Sequence, residues 1–124
     1  MILTDFYQKN ADNFLFSRQQ ASRFAKEVAN DFNPLHDADA KMFCVPGDLL
    51  FSVALEHLGL SQKMCFTFSG MVSDDAVIFP DTDDEEVQVT DAEGKRYLTI
   101  ERSGAISRDP KLIARLATDY VAFS

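Results

Sequence analysis

The segment DLLFSVALEHLG, residues 48–59, contains the pattern that decides how this chain is expected to fold. Apolar side chains occur almost all the way round a helix built from residues 49–58, and a helix without a polar stripe is buried on most of its sides. Asp48 is a suitable N-cap, and Gly59 suits the left-handed conformation that ends many helices. In a chain of 124 residues, a curved sheet is the natural cover for such a helix.

Strand patterns follow this helix directly along the chain. Met64, Phe66 and Phe68 alternate with polar or small residues, as the two-residue period of a strand requires. Gly94 lies between two alternating segments and predicts a hairpin, because the turn needs a positive φ. The predicted strands cover residues 64–72, 76–79, 86–90 and 96–101. An α+β domain whose mostly antiparallel sheet wraps around a central buried helix, here about 48–58, has the hot-dog fold, and we predict that fold.

Two more helices are predicted, one before and one after this core. Residues 17–20 have the spacing of a capping box, and the apolar pattern that follows them stops at Asn30. Asp109-Pro110 is a strong helix start. No stop signal follows it before Ser124, which raises the hypothesis that the natural chain continues further. Residues 1–16 are ambiguous and contain two candidate short strands.

The composition bounds the class of protein. With 46% hydrophobic residues and no low-complexity linker, the chain is predicted to form a single domain over residues 1–124. Its 20 acidic and 12 basic side chains give a formal net charge of -8, which argues against nucleic acid or an anionic membrane as a partner. We expect a cytoplasmic protein, because the N-terminus lacks signal-sequence organisation and no apolar stretch is long enough to span a bilayer.

The sequence offers no metal or cofactor motif, and we expect neither. Cys44 and Cys65 form no Cys-x-x-Cys pair and are predicted to be two buried free thiols. Acidic residues gather between positions 74 and 86, but they lack the glycine and the alternating ligands of a calcium loop, which favours a solvated loop edge. His57 lies late in the central helix, where a cation suits the helix dipole, and a structural role is favoured for it.

The polar segment DFNPLH, residues 31–36, carries the candidate chemistry. Asn33-Pro34 forces a turn between Asp31 and His36, and such a turn can aim both side chains at one point. An imidazole beside a carboxylate is the usual equipment for general acid–base catalysis. The structural alternative is a loop in which Asp31 caps local amides and His36 hydrogen-bonds a carbonyl group.

The stretch FAKEVANDFNPLH, residues 24–36, resembles the signature of the MaoC-like (R)-specific enoyl-CoA hydratases, in which a Phe-Ala helix start precedes Asp-x-Asn-Pro-Leu/Ile-His. FCVPGDLL, residues 43–50, is more weakly similar to that family's Phe-x-x-Pro run and to the glycine that enters its central helix. The resemblance implies a hot-dog fold and a hydro-lyase. Asp31 and His36 would share one catalytic water, which attacks the β-carbon of an enoyl thioester such as an acyl-CoA.

The resemblance also implies substrate-binding roles for Asn33 and Gly47. Gly47 would present its backbone N–H to the thioester oxygen at the amino end of the central helix, where developing negative charge is stabilised. A homodimer or pseudo-dimer is implied as well, because hot-dog domains usually pair edge to edge with sites at the seam.

The chain departs from that family's pattern at several positions. The segment between His36 and Phe43 is shorter, and Pro46 stands where the family has a second histidine before the glycine. Two alternatives therefore stay open: a non-catalytic domain that binds an acyl thioester or another ligand, and a structural dimerisation module.

Overall fold

Strands and helices occur in separate runs along the chain, which is an α+β architecture, as predicted. A computed structural model describes residues 2–123, apart from the side chains of residues 118 and 120–123. The strands of this region are β1 (Gln8–Asn10), β2 (Asn13–Leu15), β3 (Leu60–Phe68), β4 (Val77–Ile78), β5 (Glu86–Thr90) and β6 (Arg96–Ser107). The α-helices are α1 (Arg18–Arg23), α2 (Gly47–Leu58) and α3 (Pro110–Phe123). The strands form one antiparallel sheet in the order β1-β2-β4-β5-β6-β3, so β3 is an edge strand.

Helix α2 is buried along most of its length, which confirms the prediction from its all-round apolar pattern. Its buried apolar side chains are Leu49, Leu50, Val53, Ala54, Leu55 and Leu58. Most of them share a core with inward-facing side chains of the sheet, among them Val77, Val87, Val89, Leu98 and Ile100. Leu55 instead packs with Ile113 and Ala117 of α3. The helix is therefore covered by the sheet and by α3.

The ends of α2 follow the sequence only in part. The helix begins at Gly47 with Pro46 at the N-cap position, so the prediction that Asp48 is the N-cap was wrong. Pro46 takes that place because its carbonyl oxygen accepts the first helical hydrogen bonds, from the amides of Leu49 and Leu50. At the other end, Gly59 has φ +87°, the positive value that was expected.

The segment that leads to the polar hexapeptide begins as predicted. The Ser17 hydroxyl accepts from the Gln20 amide at 3.0 Å, and the Gln20 side chain accepts from the Ser17 amide at 3.1 Å, which completes the capping box. After α1 the chain widens into a π-helical turn, Phe24–Val28, and Asn30 ends it with φ +52°.

The strand bounds differ from the predictions at several places. β3 begins at Leu60 and ends at Phe68, whereas alternation alone placed it at 64–72. The difference arises because β6 runs on to Ser107 and pairs with residues 60–68, which periodicity in one segment does not reveal. The hairpin at Gly94 is confirmed, with φ +88° at that residue. Within the ambiguous N-terminal stretch, Leu3–Phe6 form a 3₁₀ turn and residues 8–15 form the β1–β2 hairpin.

Candidate active site

Backbone bonds bend the DFNPLH segment into a compact turn. The amide of Ala29 donates to the carbonyl oxygen of Phe24 at 3.0 Å within the π-helical turn, and the amide of Asp31 donates back to the carbonyl oxygen of Ala25 at 2.7 Å. Asp31 Oδ1 accepts from the amide of Asn33 at 3.0 Å, and Asn33 Oδ1 accepts from the amide of Leu35 at 3.0 Å. A 3₁₀ turn from Pro34 to His36 follows. π-Turns are frequently found at functional sites, and here one leads directly into the candidate residues.

This turn brings the carboxylate of Asp31 and the imidazole of His36 together. His36 Nε2 lies 3.2 Å from Asp31 Oδ2, and the side chains are 11% and 40% exposed, respectively. His36 Nδ1 lies 2.8 Å from the carbonyl oxygen of Cys44. A carbonyl oxygen only accepts, so Nδ1 must carry the proton and donate it. A second proton must then lie on Nε2 or on Oδ2 for their contact to be attractive. The two residues thus form an acid–base pair that solvent reaches from the Asp31 side.

The Cys44 thiol is close to this pair but is not activated by it. Cys44 Sγ lies 3.7 Å from His36 Nδ1. Cys44 is buried as predicted, whereas Cys65 on the edge strand β3 is exposed, so the prediction of a buried thiol was wrong there. Burial and, to a smaller extent, the negative charge of Asp31 raise the pKa of the Cys44 thiol. Since the thiolate is the nucleophilic form, a raised pKa makes Cys44 a poor nucleophile. Its backbone carbonyl, by contrast, holds the imidazole in place.

Gly47 lies in a groove between the start of α2 and the edge strand β3. The groove has a volume of about 640 Å³. It is lined by Gly47, Asp48, Phe51, Leu55, Leu60, Ser61, Gln62, Met64, Cys65, Phe66, Phe68 and Leu116. A side chain at Gly47 would meet the Phe68 ring at 3.7 Å, an ordinary contact distance, so the ring closes over the glycine.

The four predicted site residues therefore fall into two places. Asp31 and His36 lie together in the turn, and Asn33 lies between them with its side chain used as a cap for Leu35. Gly47 lies in the groove, and neither Asp31 nor His36 is among the residues that line it.

One family model, described as "Protein of unknown function (DUF3581)", matches residues 1–124. The chain belongs to the DUF3581 family. No curated protein and no solved structure matches it.

Among the residues that the structure describes, His57 does not form a second candidate site. His57 Nε2 lies 3.9 Å from Asp12 Oδ1, and the His57 ring packs edge-on against Phe14. Within residues 2–123, three or more His, Cys, Asp or Glu side chains nowhere come close enough together to hold a metal ion. In the same stretch, no helix is both long enough and apolar enough to cross a membrane.

Sequence reasoning missed two arginines that organise the DUF3581 fold. Arg18 contacts the loop that follows His36, and Arg102 is buried and donates to backbone carbonyl groups. Their partners are 18 to 56 residues away along the chain, so no local pattern points to them. An arginine in an alternating strand segment, as at Arg102, was the one available signal.

Proposed function

We propose that this DUF3581 protein is a hot-dog domain that acts on or binds an enoyl thioester, with Asp31 and His36 activating water as in a hydratase. The observation that carries the proposal is the 3.2 Å contact between His36 Nε2 and Asp31 Oδ2. Carboxylate and imidazole within hydrogen-bond distance of each other can both reach one bound water. The turn that joins them is the segment on which the resemblance to the MaoC-like hydratases rests.

The hot-dog assignment is supported by the position of α2. Seven of its residues, from Leu49 to Leu58, are buried, and most of its buried apolar side chains share one core with the antiparallel sheet. The polar turn lies before this helix in the chain, in the order that the resemblance requires.

With the second proton on Nε2 and Asp31 ionised, the pair has the base and the acid that a hydration needs. Asp31 takes a proton from the bound water as the water oxygen bonds to the β-carbon of the enoyl thioester. The proton on His36 Nε2 goes to the α-carbon, as the double bond between the two carbons becomes a single bond. Asp31 then returns its proton to Nε2 across the 3.2 Å contact, and the pair is ready for another turnover.

The groove and the rim of the turn suit an acyl group. Phe51, Phe66 and Phe68 supply apolar walls to the groove. Phe32 and Leu35, which lie between the two members of the pair, are exposed, and exposed apolar side chains beside a polar site often contact a ligand. We place the thioester oxygen at the Gly47 amide, because the first amides of a helix have no partner within the helix.

We propose a homodimer, or a pseudo-dimer with a related domain, formed along β3. Its nine residues make an edge strand, and Lys63 is the one charged residue among them. Long edge strands with little charge tend to pair with another strand. A second copy along β3 would also cover the groove beside Gly47.

The separation of the pair from the groove favours a second candidate function. A domain that binds an acyl thioester or another apolar ligand needs the groove but not the pair. A structural dimerisation module needs only the β3 edge. Both alternatives predict that the pair is dispensable.

Hydration of crotonyl-CoA, followed as loss of the enoyl absorbance, separates these functions. We expect turnover by the wild-type protein and losses of about 100-fold or more in D31N and H36Q, because each removes one member of the acid–base pair. D37N is the matched control, since Asp37 lies beside His36 but pairs with Lys26 at 3.0 Å. A melting temperature raised by acyl-CoA without turnover would indicate a binding module. If the protein shows neither turnover nor a raised melting temperature, the structural dimerisation module is the remaining function.

A further inference from the structure

We infer that Arg18 is a positioning residue for the Asp31–His36 pair, an inference that rests on the proposed function. Arg18 is the first residue of α1 and is far from the pair in sequence. Its guanidinium group nevertheless contacts the loop that connects His36 to Cys44. That loop supplies the carbonyl oxygen to which His36 Nδ1 donates.

One edge of the guanidinium is fixed by a carboxylate. Arg18 Nε donates to Asp74 Oδ1 at 3.0 Å and Nη2 donates to Asp74 Oδ2 at 2.9 Å. These hydrogen bonds lower the pKa of the Asp74 carboxyl group, so the carboxylate persists to lower pH than that of an ordinary aspartate. Because the guanidinium is planar, two bonds to one carboxylate also set the direction of its third nitrogen.

That third nitrogen holds the loop. Arg18 Nη1 donates to the carbonyl oxygens of Ala40 at 2.8 Å and Ala38 at 3.3 Å. The guanidinium carbon also lies 4.9 Å from the centre of the buried Phe43 ring. The loop has no strand or helix of its own between residues 37 and 46, so these contacts replace the backbone bonds of regular structure.

Cys44 connects this loop to the imidazole of His36. Cys44, the residue after Phe43, donates its amide to the carbonyl oxygen of Leu35 at 2.9 Å and accepts from His36 Nδ1 at 2.8 Å. A shift of the loop would move the carbonyl oxygen to which Nδ1 donates. The imidazole ring would then no longer be held in the orientation that points Nε2 at Asp31. Arg18 therefore acts on the pair through Phe43 and Cys44, without touching it.

The test compares R18Q with R23Q in the full chain. Arg23 is a matched control because it lies on the same helix, forms an ion pair with Glu27 at 3.6 Å and stacks on Phe6 at 5.4 Å, yet these partners lie outside the loop. Long-range ¹H–¹⁵N spectra report whether each imidazole nitrogen of His36 carries a proton and is hydrogen-bonded. We expect the Nδ1 signal of His36 in R18Q to shift as its hydrogen bond to the Cys44 carbonyl weakens, and R23Q to match the wild type.

The kinetic expectation is a fall in kcat with little change in KM. A displacement of about 1 Å costs on the order of 10-fold to 100-fold in rate, and R18Q is expected in that range. R18K keeps the charge but cannot donate to Asp74 and to both carbonyl oxygens at once, so its kcat is expected to lie between those of R18Q and the wild type. D74N keeps Arg18 and removes its anchor, and it is expected to shift the His36 signals in the same direction by less. D74N decides the matter if R18Q does not fold.

Folded R18Q and D74N with wild-type His36 spectra would overturn the inference. The spectra need no substrate, so the two proposals can fail separately. A wild-type protein without hydratase activity whose His36 spectrum changes in R18Q would defeat the proposed function and leave the Arg18 contact established.

Discussion

Arg102 Nη1 donates to the carbonyl oxygen of Leu58 at 3.0 Å, which joins strand β6 to the last residue of helix α2. The other arginine nitrogens donate to the carbonyl oxygens of Asp84 at 2.8 Å and Thr82 at 2.6 Å. Arg102 is 5% exposed. One buried guanidinium group thus donates to three backbone carbonyl groups, and it ties the end of the central helix to the sheet.

Replacing Arg102 is expected to destabilise the fold strongly. R102Q should lower the free energy of unfolding by about 3 kcal/mol, because buried carbonyl groups lose charge-assisted hydrogen bonds. R108Q is the control, since Arg108 is half exposed and pairs with the exposed Asp83 at 2.9 Å. Its loss should cost less than about 1 kcal/mol. Urea denaturation measures both variants, and equal losses would show that burial of Arg102 does not matter.

Two glycines with the same backbone conformation are expected to respond differently to alanine. Gly59 and Gly94 have φ of +87° and +88°. A Cβ at Gly59 would lie 2.7 Å from Cγ2 of Ile106 and 3.1 Å from the carbonyl oxygen of Ser107, whereas one at Gly94 would meet nothing within 4 Å. G94A should cost about 1 kcal/mol from backbone strain alone, and G59A about 3 kcal/mol, since a steric clash is added. A G59A variant as stable as G94A in chemical denaturation would contradict the packing at the end of α2.

The Cys44 thiol is expected to ionise only above the usual pH range of thiols. Burial, and then the charge of Asp31, raise its pKa in the folded protein. Folding therefore favours the neutral thiol. The resulting contribution to stability is complete below the pKa of the thiol in the unfolded chain, and it is lost as the pH rises through the pKa of the thiol in the folded protein. In C65S, where Cys44 is the remaining cysteine, the alkylation rate by iodoacetamide should rise at a higher pH than in denaturant.

The D31N substitution refines the same experiment. Removing the negative charge should move the Cys44 alkylation profile part of the way toward lower pH, since burial is the larger cause of the shift. C44S, which retains the exposed Cys65, reports the reactivity of an accessible thiol. An alkylation profile of C65S that is the same when folded and denatured would rule out a buried thiol beside the pair.

Local patterns predicted those elements whose cause is local. The all-round apolar surface of residues 49–58 predicted a buried helix, the capping box at Ser17 predicted a helix start, and Gly94 predicted a turn. Asn33-Pro34 predicted a turn between Asp31 and His36, and those side chains lie 3.2 Å apart. In each case a few adjacent residues determine the backbone conformation.

Features that depend on distant partners could not be predicted in this way. The start of β3 at Leu60 depends on pairing with Ser107, and the β1–β2 hairpin joins the sheet through β4. The role of Arg18 depends on Asp74, 56 residues away. The position of Gly47 in a groove apart from the pair depends on how β3 closes over the start of α2. These relationships arise from tertiary packing, which one sequence does not encode as a visible pattern.

Incubation of the wild-type protein with crotonyl-CoA in D₂O tests most directly whether Asp31 and His36 add water to an enoyl thioester. The account predicts 3-hydroxybutyryl-CoA of R configuration with a single deuterium at the α-carbon, because His36 Nε2 donates its deuteron to one face of the substrate. It predicts that neither D31N nor H36Q forms this product at a comparable rate. Unchanged crotonyl-CoA with the wild-type protein, or equal product formation by D31N, would contradict it.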